Sequence, residues 1–271
     1  MTGWRRFPAE DAVLDWVRAV RPVAGAVLAD PAEDHWYRHG RTWFAGVDAL
    51  PNDAAGRVPV RGAGPSRSPE YFESKEGAWG PPLSGAALAA ASDVAGPLPL
   101  HRGQLSVTWP AYPGRDPDES ESSYRYRRDR AAAHLDGLLP VGSARRRMAR
   151  EPHAWILGLP LDEMGPGRSP LVVWEGSHEV IRTALRSAYD GRDPADWPDI
   201  DVTDIYQDAR RTVFETCDRV EVTAQAGEAV LLHRLLIHGV APWTGPEGPP
   251  RAVVYFRPVL PGGVADWLAL P

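Results

Sequence analysis

Apolar positions in this chain recur with two spacings, and the balance between them shifts along its length. Between residues 9 and 20, Val13, Leu14, Val17 and Val20 fall at helical intervals behind the acidic Glu10 and Asp11, which predicts a short amphipathic helix. Residues 178–189 and 202–214 also accommodate helix, the second placing Val202, Ile205, Tyr206, Ala209 and Val213 on one stripe. Elsewhere short β-forming runs dominate. Gln104-Leu105-Ser106-Val107-Thr108-Trp109 has strand composition and stops at Pro110, and residues 153–159 and Leu171-Val172-Val173-Trp174 follow. Arg219-Val220-Glu221-Val222-Thr223 alternates, and Ala229-Val230-Leu231-Leu232 and Arg251-Ala252-Val253-Val254-Tyr255-Phe256 complete the set. Roughly seven or eight short strands separated by Gly- and Pro-bearing turns predict a mainly β chain with flanking helices, a sandwich or barrel rather than a βαβ sheet. The two central helices are expected to cover one outside face of the sheets.

Between these runs the pattern fades. Residues 30–85 are aromatic, charged and broken by Gly and Pro, and residues 57–76 read as a loop, a lid or ornament. Residues 112–130 are polar and read as irregular. With 26 Gly and 28 Pro, punctuation is dense enough to make long helices scarce. There is no internal repeat and no phosphate-binding glycine loop.

Composition narrows the picture. A chain of 271 residues, 43% hydrophobic and 24% charged, can bury a large core in one domain. Its net charge of −6 argues against nucleic acid or an anionic membrane as partner. Cys217 is the only cysteine, so neither an intrachain disulfide nor a thiolate zinc site is available, and metal ligands must be His, Asp or Glu. The first twenty residues mix Arg5, Arg6, Glu10, Asp11 and Asp15 with apolar positions, and no long apolar run follows. A soluble, cytoplasmic protein is expected.

Candidate chemistry starts at His134-Leu135-Asp136. On one extended strand the two side chains project from the same face, roughly 6 to 7 Å apart along the backbone, so one cation can bind both. A third ligand from a distant strand would complete two imidazoles and one carboxylate on one side of a metal, with the opposite positions open. That arrangement points to non-haem Fe(II). Two histidines compete for third place: His238, in Leu236-Ile237-His238-Gly239, and His233, which follows a plausible strand and is otherwise a hydrogen-bonding partner.

Five segments in order resemble the phytanoyl-CoA dioxygenase family. They are His134-Leu135-Asp136; the run from Trp155 through Gly158 to Asp162; Pro170 through Trp174 and Gly176 to His178; Gly227 through His238-Gly239; and Arg251 through Arg257-Pro258. The match spans about residues 104–260. The resemblance implies a double-stranded β-helix (jelly-roll or cupin-like) within a single oxygenase domain spanning residues 1–271. Residues 1–100 would form an N-terminal helical and loop region, and residues 101–260 the β-helix core with a helical insert at about 178–214. It further implies Fe(II), 2-oxoglutarate as co-substrate, and O₂-dependent hydroxylation of a small organic molecule with release of succinate and CO₂. Carried over by position, His134, Asp136 and His238 become the iron ligands, Arg251 the anchor for the far carboxylate of 2-oxoglutarate, and Trp155 a residue lining that pocket. Relatives that halogenate carry a small residue where Asp136 stands, so its carboxylate favours hydroxylation or a related oxidation.

The chain also departs from the family pattern. Val240 stands where many relatives have Ser, Trp243 where Asn is frequent, and a co-substrate-binding Lys is missing before the His-x-Asp pair. Gln104 and Thr108 are the polar candidates in its place. Arg257 shares the strand face of Arg251 and competes with it for the carboxylate, a rim ion pair being its alternative. Arg125, Arg127, Arg128 and Arg130 before the motif, with Arg145, Arg146, Arg147 and Arg150 after it, are either a basic rim for an acidic substrate or a solvated face neutralised by acids at 116–121. Two other functional classes fit the same residues. One is a cupin-like metalloenzyme working without 2-oxoglutarate, and the other a non-catalytic β-sandwich binding module with unligated His and Asp.

Overall fold

The large sheet exists because β-branched and aromatic runs are buried on both faces. The computed structural model describes residues 2–29, 37–59 and 79–271. Seven strands stand in the order β1 (Trp4–Phe7), β10 (Ala229–Leu232), β7 (Ile156–Pro160), β12 (Arg251–Phe256), β4 (Gly103–Thr108), β3 (Trp43–Leu50) and β2 (Tyr37–Gly40), every pair antiparallel. A smaller sheet runs β11 (His238–Val240), β8 (Leu171–Trp174), β9 (Arg219–Val222), also antiparallel. A hairpin of β5 (Leu138–Val141) and β6 (Arg146–Ala149) stands apart.

Alternation along β12 divides the core in two. Val253 and Tyr255 join Ile156, Val230 and Leu232 of the large sheet with Leu171, Val173 and Val222 of the small one in a cluster between the sheets. Ala252, Val254 and Phe256 take the opposite face and belong to the larger cluster under the helices. There α1 (Asp11–Ala29) buries Val13, Trp16, Val17, Val20 and Ala24, with the Trp16 ring edge-on to Phe256 at 5.9 Å. A short helix, α2 (Ala86–Ala95), joins this layer through Ala87 and Ala91. Outside the small sheet, α4 (Ser177–Tyr189) and α5 (Thr203–Thr216) bury Ile181, Leu185, Tyr206, Ala209 and Val213, and Phe214 meets Trp174 of β8 at 5.3 Å. The central helical pair thus covers an outside face, as its stripe predicts. A closing helix, α6 (Gly263–Ala269), buries Trp267. Among the described residues no helix is long and apolar enough to cross a membrane.

Four expectations change. The first helix does not stop at residue 20: it continues through Pro22 to Ala29, because Ala24, Val23, Val27 and Leu28 keep packing on the core beyond the missing N–H. Residues 112–130 are not wholly irregular, since α3 (Glu121–Arg130) forms with no buried residue at all. Its Ser120 cap accepts from the Ser123 N–H, and Glu121 pairs with Arg125 one turn on, so the helix is held by capping and charge that an apolar period cannot reveal. Part of the stretch 30–85 is sheet rather than loop, as β2 and β3 extend the large sheet; residues 60–76 of the expected loop lie outside the described residues. The described strands number twelve, the additions to the six runs named from sequence being β1, β2, β3, β11 and the β5–β6 hairpin.

Candidate metal centre

His134 and His238 are brought together by the backbone before any side chain is considered. The two residues form an isolated antiparallel bridge in which each N–H donates to the other's carbonyl, at 2.9 and 3.1 Å. A pair bonded both ways points its side chains to one face, and the imidazole centroids lie 4.6 Å apart. The single extended strand considered for His134 and Asp136 does not form: Asp136 lies in the turn that follows, closed by Gly137 at φ 90. A side chain at Gly137 would be strained in that region and would meet the carbonyl of Glu151. Ala131 and Ala132, just before the ligands, also hold left-handed φ values of 52 and 51, costing on the order of 1 kcal/mol each or more. Gly239 completes the local geometry. A Cβ there would overlap the carbonyl oxygen of Ala131, which accepts from the Val240 N–H at 2.8 Å, so the strand carrying His238 lies directly against the loop carrying His134.

One ligand atom from each of His134, Asp136 and His238 lies within 4.8 Å of the others, the spacing of donors around a single cation. Each imidazole presents its Nδ1 to a backbone carbonyl, His134 to Ala132 at 3.0 Å and His238 to Leu236 at 2.9 Å. A carbonyl only accepts, so Nδ1 carries the proton and Nε2 is left with its lone pair free for a metal. Those Nε2 atoms lie 3.3 Å from Asp136 Oδ1 and 3.7 Å from Asp136 Oδ2. Burial, reinforced by the charge of His134, pushes His238 down to about 4, so it is neutral near pH 7. Burial opposes the charge of Asp136, yet the Arg257 guanidinium and the two imidazoles hold its carboxyl well below the usual range. The His134 side chain is 51% exposed while Asp136 and His238 are 9% and 8%, which places the centre at a mouth open on the His134 side. These residues fit a divalent ion bound by two neutral nitrogens and one carboxylate.

A second polar feature lies on the inward face of β12 and β4. Arg251 is fully buried, and among the described residues it has no acidic partner. Its contacts are Ser106 Oγ at 3.4 Å, Tyr255 Oη at 3.2 Å and Met164 Sδ at 3.2 Å, while Nε has no partner at all. Directly across the ladder Thr108 faces Arg251, and its buried Oγ1 is also unpartnered. An unpaired guanidinium between two sheets is costly and fits a carboxylate ligand. Gln104, four pairs further along and opposite Tyr255, accepts instead from Arg257 Nη2. Trp155 is buried within the larger helix-side cluster, its Nε1 without a partner.

The remaining candidates separate. Arg257 lies beside the metal ligands, its Nη1 2.9 Å from Asp136 Oδ2 with the side chain 13% exposed. His233 is elsewhere, its ring tilted against that of His178 at 4.7 Å. Its Nδ1 faces the Leu235 N–H and its Nε2 faces Arg182, both donors, and burial with help from Arg234, His178 and Arg182 pushes it down to about 2. Most of the Arg-rich stretch is neutralised. Arg127 pairs with Glu119, Arg125 with Glu121, Arg128 with Asp129, Arg146 with Asp201 and Arg150 with Asp199. Only part of that neutralisation comes from the acids at 116–121.

Sequence reasoning weighed Arg257 as a rival of Arg251 or a rim ion pair without finding Asp136 as its partner, and it missed Ser106 and Tyr255. The available signal was the period of two: residues 251, 253, 255 and 257 share a face with 104, 106 and 108 across the ladder.

No family model matches the chain, and no curated protein matches its sequence. Among solved structures it is similar to the non-heme alpha-ketoglutarate-dependent carbocyclase SnoK from nogalamycin biosynthesis (17% identity, 95% of this chain and 80% of that one, TM-score 0.49). It is similar to EctD from S. alaskensis in its apoform (19%, 98% and 74%, TM-score 0.47). A third likeness is to HygX from Streptomyces hygroscopicus with nickel, 2-oxoglutarate and hygromycin B bound (15%, 96% and 84%, TM-score 0.45). All three likenesses are distant, and the assignment below rests on residues of this chain.

Proposed function

We propose that this chain is a non-haem Fe(II)- and 2-oxoglutarate-dependent dioxygenase of the phytanoyl-CoA dioxygenase family, a single oxygenase domain that hydroxylates a small organic molecule. The observation carrying this reading is the pairing, in one molecule, of a two-His, one-Asp centre with a fully buried arginine that has no acidic partner among the described residues. A metal centre alone fits many reactions. The orphaned Arg251, flanked by the hydroxyls of Ser106, Thr108 and Tyr255, asks for a dicarboxylate's far end. The strand orders β4–β12–β7–β10 and His134–β11–β8–β9 support a double-stranded β-helix.

In this reading His134 and His238 hold the metal through Nε2, and Asp136 supplies the carboxylate. Arg251 grips the co-substrate, Ser106 and Tyr255 orient the guanidinium, and Thr108 offers the hydroxyl that the family places at the position of Val240. Val253, Ile156, Leu171 and Val173 keep the space between the sheets dry. Bound there, Fe(II) with 2-oxoglutarate supplies an oxidation that consumes O₂, splits the keto acid into succinate and CO₂, and inserts oxygen into a substrate C–H bond. Because Asp136 keeps a carboxylate on the metal, hydroxylation is favoured over halogenation.

The test is anaerobic titration. Wild-type protein with Fe(II) should develop a visible absorption band only when 2-oxoglutarate is added, and Asp136→Ala or His238→Ala should abolish it. Fe(II) binding without any response to 2-oxoglutarate would favour the cupin-like metalloenzyme, and no Fe(II) binding the binding module. A panel of carboxylic acids and CoA esters, scored by succinate release above the uncoupled rate, then finds the substrate.

A further inference from the structure

We propose that Arg257 is a positioning residue of the metal centre, holding the Asp136 carboxylate in the orientation that closes the ligand set. The inference rests on the reading that His134, Asp136 and His238 bind a divalent ion. Asp136 sits in a turn, before a glycine at φ 90, so no strand ladder fixes its side chain. The polar contacts of its carboxylate are His134 Nε2 at 3.3 Å, His238 Nε2 at 3.7 Å and Arg257 Nη1 at 2.9 Å. Once the two nitrogens turn their lone pairs to a metal, neither donates to the carboxylate. Arg257 is then the remaining side-chain donor.

Both terminal nitrogens of Arg257 are engaged, while its Nε has no partner among the described residues. Its Nη2 donates to Gln104 Oε1 on β4, and its backbone N–H donates to His101 Nε2. The side chain is 13% exposed, so water does little to compete with these bonds. One planar fork thus ties the metal's carboxylate to an inner strand of the large sheet, and Gln104, a polar residue facing inward, has its role in that tie.

Two effects of opposite sign meet here. A cation close to the site repels a divalent ion and draws charge from the carboxylate, which lowers affinity. Orientation of a ligand by a second hydrogen-bonding partner raises affinity, and loss of such a partner weakens metal binding roughly tenfold to a hundredfold. The tether is buried and two-armed, one nitrogen on Asp136 and the other on Gln104, which makes orientation the larger effect.

Co(II) is the probe, because its affinity can be read by calorimetry and its ligand field by the visible d–d spectrum, without turnover. Arg257→Gln should lower Co(II) affinity by roughly tenfold or more and alter the d–d envelope. Arg257→Lys, which keeps the charge but cannot span both acceptors, should recover only part of the affinity. Gln104→Ala, which leaves the Asp136 contact intact but loosens the fork, should fall between wild type and Arg257→Gln, and it serves as the readout if Arg257→Gln does not fold. Unchanged or increased affinity in folded Arg257→Gln, or in Gln104→Ala where that is the readout, overturns the proposal and leaves the metal site standing. Absence of Co(II) binding by the wild-type protein overturns the site and the proposal together.

Discussion

Arg251 and Tyr255, four residues apart on one strand, meet through Nη2 and the phenol oxygen at 3.2 Å in the space between the two sheets. The contact gives the buried guanidinium a neutral hydroxyl where a carboxylate would be the natural partner. Arg251→Met should therefore leave the ligand-free protein about as stable as wild type, or slightly more so, because an uncompensated buried charge is replaced by apolar volume. The same variant should retain Fe(II) but lose 2-oxoglutarate affinity by about 2–5 kcal/mol, more than tenfold. Urea denaturation and anaerobic titration read the two halves. Destabilisation by several kcal/mol would instead make Arg251 a structural residue.

Thr108→Val offers a finer cut. The buried hydroxyl has no partner, so removing it should cost the ligand-free protein nothing measurable, or stabilise it by up to about 1 kcal/mol. Weakened 2-oxoglutarate binding, by roughly a few-fold, is expected alongside. A stability loss as large as that of an ordinary core hydrogen bond would show that the hydroxyl is already satisfied.

Metal should stabilise the fold, since the turn of Asp136 and the loop before His134 gain a shared ligand. At a free Co(II) concentration about a hundred times its dissociation constant, linkage gives about 2.7 kcal/mol, a shift visible in a thermal melt. Asp136→Ala should melt at the same temperature with and without Co(II). A metal-dependent shift that survives this substitution would put the binding site elsewhere.

Acid should weaken the protein before its carboxylates titrate. Burial lowers both His178 and His233, the latter to about 2. With an unfolded value near 6.5, the unfolded chain binds more protons below that pH, so stability is full above about 6.5 and is lost as pH falls toward 2. The slope is at most about 1.4 kcal/mol per pH unit for each group. Denaturant midpoints at pH 7 and pH 5 should differ in that direction, and a flat profile would mean that these rings are solvated.

The helix that periodicity could not find depends on Glu119. That carboxylate and Arg127 are each 11% exposed, and the guanidinium also approaches Asp116 at 3.6 Å. Hydrogen bonding from Arg127 holds Glu119 below its ordinary range. Glu119→Gln should cost about 1–3 kcal/mol, and a thermal shift near zero would show the pair to be solvated in effect.

What the sequence revealed followed from what each rule can detect. Periodicity located β4, β7, β8, β9, β10 and β12 of the two packed sheets and the helices over the small sheet, because those segments carry apolar stripes such as Val202 to Val213. It missed α3, whose residues are polar throughout, and β2 and β3, whose aromatic and charged residues obscure the alternation. His134 and Asp136 were found by spacing, though the wrong backbone was assigned: the pair is split between a bridge and a turn, and the common face comes from pairing with β11. Arg257 shows the limit most clearly. Its place on the inward face could be counted from Arg251, but its contact with Asp136 joins two segments that only folding brings together.

The bare Cα of Gly239 has one more consequence. Because the Ala131 carbonyl occupies the space a side chain would need, position 239 should tolerate almost no substitution, although it is not among the residues proposed to hold metal or co-substrate. A saturation scan for metal retention would place it beside His134, Asp136 and His238 in intolerance. An engineer widening this site would find freedom among the apolar walls, and none in the residue that follows the second imidazole.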